Sequence, residues 1–208
     1  MCSRISVQMI LVFLISFTSF TGMSQKLISK AIENEAITAL SFYPELANAR
    51  IDFIFKNKIK KSTMQARPSF WSFFKSKNNR KYKILISKKF KIDGQEYLTE
   101  DIPKDVMIGW LGHELGHVMD YRNRGRLNLL GFGIKYLFSD SFIKEAERSA
   151  DSFAVQSGMG SYILMTKNFI LENASIPDSY KNRIKKYYLS PEEIMQMVKD
   201  KDSTGVLN

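Results

Sequence analysis

Apolar positions recur at helical spacing from Lys26 to Ser41, where Ile28, Ile32, Ala36, Ala39 and Leu40 share one side. Pro44 ends that stretch. The pattern then switches to alternation. Ile51, Phe53 and Phe55 within Ala49 to Phe55, and Tyr82, Ile84 and Ile86 within Tyr82 to Phe90, each predict a strand. Between them runs an irregular stretch with Pro68, Phe70, Trp71, Phe73 and Phe74, and Asp93-Gly94 marks a turn. From Ile102 the period becomes helical again. Pro103 suits a first turn, and Val106, Trp110, His113 and His117 share a face until Gly125. Further helices are predicted over Leu127 to Phe138, Ser141 to Gln156, Tyr162 to Glu172, Pro177 to Tyr188 and Pro191 to Lys199, with Gly158 and Gly160 stopping the second of these. The last opens with Ser190-Pro191-Glu192-Glu193, a capping box with proline at the first helical position. No repeat or linker divides residues 25–208. The expectation is one α+β domain: a small mixed or antiparallel sheet followed by a mainly helical half.

The first 24 residues do not fit that domain. Arg4 is their only charge, Met9 to Phe17 is almost wholly apolar, and Gly22-Met23-Ser24 puts small residues at the −3 and −1 positions of a cut before Gln25. This reads as a signal peptide, and its apolar run is shorter than the roughly 20 residues of a membrane-spanning helix. The protein is therefore expected to be exported, to a periplasm, the cell envelope or the medium. The single cysteine, Cys2, lies inside the leader and away from the cut, so the lipoprotein route has nothing to acylate. A chain cut there has no thiol, which removes disulfides and cysteine-based zinc or nucleophile sites.

The chain contains only two histidines, and both fall in His113-Glu114-Leu115-Gly116-His117. Helical spacing of four brings the two imidazoles to one face, where they can hold one Zn²⁺, while Glu114 is offset by about 100° and can reach a water. A catalytic zinc takes three protein ligands and keeps a position for water. A third histidine three-plus-three residues further on is excluded, because those positions hold Asp120 and Asn123. The third ligand must then be a carboxylate. Glu147 in Glu145-Ala146-Glu147-Arg148-Ser149-Ala150-Asp151 is the candidate, with Glu145 as the alternative. Asp151, one turn after Glu147, can accept the far ring N–H of His113 and fix its tautomer.

On these motifs, HExxH on one helix and ExxxD on the next, the chain resembles the gluzincin metallopeptidases. It is most similar to the catalytic domain of the CAAX-prenyl-protease and heat-shock HtpX type, where Ala150-Asp151 and Phe153-Ala154 also fit the pattern of the glutamate helix. The likeness covers residues 102–158. It implies a zincin-like fold and a zinc metalloendopeptidase acting on a peptide or protein substrate. His113, His117 and Glu147 would hold the ion and Glu114 would serve as general base and acid. Many relatives carry a His-Pro pair near the reaction centre, where this chain reads Ser175-Ile176-Pro177. An oxyanion donor would have to come from elsewhere, with Arg183, Tyr121, Tyr136 and Tyr187 as candidates. Extended substrate is expected to pair with the strand Tyr82 to Phe90 as an edge.

Charge enters last. The 208 residues carry 31 Lys and Arg against 21 Asp and Glu, a net +10. Thirteen of those cations, and no acid, fall between residues 53 and 92; outside that stretch and the leader, 17 cations face 21 acids. The basicity belongs to one segment. Export makes nucleic acid an unexpected partner. With its aromatics the segment suits an anionic membrane surface or lipopolysaccharide, or the recruitment of acidic substrate segments, or else it is a solvated strand pair whose rings fill the core. The membrane and core readings apply equally to Leu127 to Phe138. The alternative to an enzyme is a catalytically idle, zinc-containing binding module at the envelope surface that uses residues 53–92.

Overall fold

A computed structural model describes residues 26–57, 59, 62–92, 95–173 and 176–205. The expected leader and the Asp93-Gly94 turn lie outside these. Chain order is α1 (Glu33–Ser41), β1 (Arg50–Lys56), β2 (Met64–Pro68), β3 (Lys81–Ser87), β4 (Lys89–Ile92) and β5 (Gln95–Leu98). Six helices follow: α2 (Lys104–Asn123), α3 (Arg126–Phe138), α4 (Asp140–Ala154), α5 (Gly160–Glu172), α6 (Asp178–Tyr187) and α7 (Pro191–Gly205). This is a mixed α+β architecture, as the periodicities predict. No helix among the described residues is long and apolar enough to cross a membrane.

The sheet has three strands in the order β1-β3-β2. β1 runs parallel to β3 with Phe53 opposite Ile84, and β2 runs antiparallel to β3 with Ala66 opposite the same Ile84. Ile51, Phe53, Tyr82, Ile84 and Ile86 are buried, so the alternating residues do form the core face. Two expectations are corrected here. The stretch Tyr82 to Phe90 is not an edge: β3 is paired on both sides, and the chain breaks at Lys88 into the separate β4–β5 hairpin. The outer strands are β1, which Leu27 bridges at Asp52, and β2, which lies within the stretch expected to be irregular. The alternation of β2 is carried by only Met64 and Ala66, both buried, and Pro68 masks it. Ser69 N–H donates to Lys81 O, and Ser87 N–H to Thr63 O, so the odd-numbered residues of β2 pair with β3. The even-numbered ones, Pro68 included, turn their backbone groups to the free edge, where a missing N–H is tolerated.

The expected helix from Lys26 begins later, because Leu27 bridges Asp52 and its carbonyl accepts Phe53 N–H at 2.8 Å. The helix expected to stop before Gly158 does so: Gly158 is non-helical at φ +97°, a conformation other residues avoid, and the kink there separates α4 from α5. The capping box of α7 is present as read. Glu193 N–H donates to Ser190 Oγ (3.2 Å) and Ser190 N–H to a Glu193 carboxylate oxygen (2.8 Å).

α2 is the centre of the helical half. It is buried on nearly all sides, against α1, α4, α5 and β2. Three glycines allow this. A Cβ at Gly109 would lie 2.2 Å from Thr166 Oγ1 and 2.3 Å from Tyr162 O on α5; at Gly116 it would lie 2.3 Å from Ala150 O on α4. Gly112 gives its carbonyl to the buried Tyr43 hydroxyl (2.6 Å). The other end of α2 is closed by Arg80, whose buried guanidinium donates to Tyr121 O (3.0 Å) and Arg124 O (2.8 Å). The same Gly→Ala change should therefore have opposite signs at two helical sites. Gly116→Ala should cost about 1–3 kcal/mol or more, because backbone must give way. Gly131→Ala on α3, where a Cβ meets nothing within 4 Å, should gain up to about 1 kcal/mol. Denaturant midpoints of the two variants check this.

Candidate metal centre

The contact of Gly116 with Ala150 sets the site. His113 and His117 lie three residues before and one after Gly116; Glu147 and Asp151 lie three before and one after Ala150. Bringing two helix backbones together at that point stacks the four side chains against one another, one turn to each side. His113 Nε2 lies 3.1 Å and His117 Nε2 3.2 Å from the same oxygen, Glu147 Oε2. One ligand atom from each of the three residues falls within 4.8 Å of the others, and all three side chains are buried. This group could hold a metal ion. Glu145, the alternative ligand, is exposed on the outer face of α4.

Asp151 is fully buried and accepts three hydrogen bonds. His113 Nδ1 donates to Oδ1 (2.8 Å), while Lys167 Nζ (2.8 Å) and Leu189 N–H (3.0 Å) donate to Oδ2. The first of these fixes the His113 tautomer and turns Nε2 toward Glu147. Burial alone would raise the Asp151 pKa, but Lys167 and His113 outweigh it and hold the carboxyl below its usual range. Burial likewise opposes charge on His113, yet Asp151 and Glu147 push its pKa up to about 10. Glu147 is held well below the carboxylate range, against its burial, by His117 and His113. Two buried anions facing two imidazoles make a place that favours added positive charge, which is the electrostatic requirement of a cation site.

Glu114 is buried beside this cluster, and burial is the largest influence raising its pKa. Its Oε2 accepts the Ala66 N–H at 2.5 Å, so the free edge of β2 orients the carboxylate. Tyr121, whose ring stacks on His117, donates to Ala66 O at 3.3 Å. A small cavity reaches His113 and Glu114 between Met64, Trp110, Ile184 and the rings of Tyr180 and Tyr188.

All five residues singled out from the sequence, His113, Glu114, His117, Glu147 and Asp151, thus come together. The oxyanion candidates fare differently. Tyr136 donates to Glu147 Oε1 (2.5 Å), Tyr121 to the β2 edge, and Tyr187 to Asp140 Oδ1 (3.0 Å), while Arg183 lies over the Tyr187 ring. Tyr136 is therefore a carboxylate partner on α3, and Tyr187 and Arg183 pair away from the cluster. The sequence reading missed Lys167, which also lies over Tyr188 at 4.2 Å. A signal was there. Lys167 is the one charge in the otherwise uncharged run 160–171, and a lysine buried in such a helix needs a carboxylate.

Glu147→Gln should abolish tight metal binding, and Asp151→Asn should weaken it about 10- to 100-fold and also destabilise the fold by about 3–5 kcal/mol, because it leaves Lys167 buried without its carboxylate. Competition with a chelating dye measures both; equal affinity in Glu147→Gln would remove that residue from the ligand set. Comparisons of the chain with protein-family models, with curated proteins and with solved structures found no match.

Proposed function

We propose that the protein is a zinc-dependent metalloendopeptidase of the gluzincin kind, with a zincin-like catalytic domain. The observation that carries this reading is the convergence of His113 Nε2 and His117 Nε2 on Glu147 Oε2, with a second carboxylate, Glu114, buried on the same helix beside them. Two imidazoles and one carboxylate are the donor set of a catalytic zinc, which keeps a coordination position open. Zinc bound there would polarise a peptide carbonyl and acidify a water.

The remaining work falls to this chain's own side chains. Glu114, its pKa raised by burial, is suited to take a proton from water and return it to the leaving amine. Oε2 is engaged by the Ala66 amide, so the proton is taken at Oε1. Asp151 and Lys167 keep His113 in one orientation, and Tyr136 does the same for Glu147. A binding module with no catalytic task would not require a carboxylate held dry next to the two histidines. Because β3 is paired on both sides, an extended peptide aligning with the sheet on this side would lie along β2 and would have to displace the contacts that Glu114 and Tyr121 make with Ala66.

The test is metal content together with peptide cleavage by the full chain and two variants. Glu114→Gln should keep zinc at one equivalent and lose about 10²- to 10⁴-fold in kcat; Glu147→Gln should lose both. A wild-type protein that binds no zinc overturns the proposal. A Glu114→Gln variant of full activity overturns the role of the base.

A further inference from the structure

α3 is apolar on two opposite faces. Leu129, Phe132 and half-buried Tyr136 face inward, on the Glu147 side. Leu127, Leu130, Ile134 and Phe138, spaced three, four and four residues apart, form a stripe on the outward face, with Leu127 86% and Phe138 84% exposed. The 3-10 turn Phe70–Phe74 packs beside α3. Phe73 turns into the core, but Phe70, Trp71 and Phe74 stand 66–71% exposed and cluster ring against ring at 5.2–6.3 Å. The expectation that these rings fill the core is thus corrected for three of the four, and α3 is buried on its inner face only. Seven large apolar side chains on two adjacent elements exceed what a solvated surface ordinarily shows.

Most of the charge along these two elements is positive, and the acids that flank α3, Asp120 and Asp140, are ion-paired with Arg124 and Lys186. Residues 121–139 contain Arg122, Arg124, Arg126 and Lys135 and no acid; residues 69–79 contain Lys75 and Lys77 and no acid. On the α3 wheel, Arg126 and Lys135 stand on opposite shoulders of the exposed stripe, where long cationic side chains can reach past an apolar face to headgroups. Lys75 and Lys77 are exposed just beyond the aromatic knob.

From the apolar stripe, the aromatic knob and the exposed cations Arg126, Lys135, Lys75 and Lys77 beside them, we infer that α3 and the turn Phe70–Phe74 together dock the protein on an anionic phospholipid bilayer. The rings and the stripe would enter the outer part of the acyl region, to a depth of about 5–10 Å, and Arg126, Lys135, Lys75 and Lys77 would face the phosphates. A second copy of the chain fits the surface less well, because a two-fold contact would set these cations against their own kind. The docking face adjoins the metal cluster through Tyr136 and adjoins β2, which only Ser69 separates from the turn.

Trp71 is a reporter inside the proposed face. Full-length protein is mixed with vesicles of phosphatidylcholine with or without phosphatidylglycerol, some carrying brominated acyl chains. Trp71 emission should shift to the blue and be quenched on the anionic vesicles, and the change should vanish in Trp71→Phe, which leaves only Trp110. Leu130→Ser with Ile134→Ser should reduce the quenching. Lys75→Gln with Lys135→Gln should weaken partition roughly thirtyfold at low salt, with far-UV circular dichroism confirming the fold of each variant. Vesicle binding without quenching of Trp71 overturns the proposal, because attachment then lies elsewhere in the chain. So does equal quenching on pure phosphatidylcholine, or a concentration-dependent blue shift without lipid, which assigns the face to a second copy.

Discussion

The carboxylate of Asp151 is the tie on which the helical half depends. A fully buried anion is tolerated only when its lone pairs are met, and here three elements meet them: His113 from α2, Lys167 from α5 and the Leu189 amide between α6 and α7. Each donor in turn needs Asp151, since buried Lys167 would otherwise be an unpaired cation. The network fixes the relative positions of α2, α4, α5 and the α6–α7 connection and, in the same stroke, the direction of one imidazole.

That tie works only because the helices approach closely. Gly116 against Ala150 and Gly109 against Thr166 remove the side chains that would keep α4 and α5 away from α2. The close approach leaves α2 without a polar face, so its histidines and Glu114 sit in a dry interior where charges interact strongly. Packing and reactivity therefore have one origin. The glycines that let the core close also place two imidazoles and two carboxylates out of water.

The site was far more legible than the sheet. HExxH and ExxxD are spaced by the helix repeat, a fixed geometry, and once α2 and α4 pack their register follows. The capping box at Ser190 is read as easily, because it is purely local. What escaped were features that depend on distant partners. β2 shows only Met64 and Ala66 as apolar signal, and its role as an outer strand depends on how it pairs with β3. Lys167 announced itself by standing alone in the uncharged run 160–171, but its partner could come only from the fold. The two apolar faces of α3 illustrate a different limit: periodicity shows that both exist and cannot say which one the rest of the protein covers.

The burial of Arg80 has a practical side. It is one of the thirteen cations of the basic stretch, yet it holds the carbonyls that end α2 and faces no solvent. Charge along the primary structure therefore overstates what an outside partner can feel. A redesign that neutralises every lysine and arginine between residues 53 and 92 would not merely change the protein's electrostatic appearance. It would uncap the helix bearing both histidines, and a loss of metal in such a variant would report a frayed helix end rather than an altered surface.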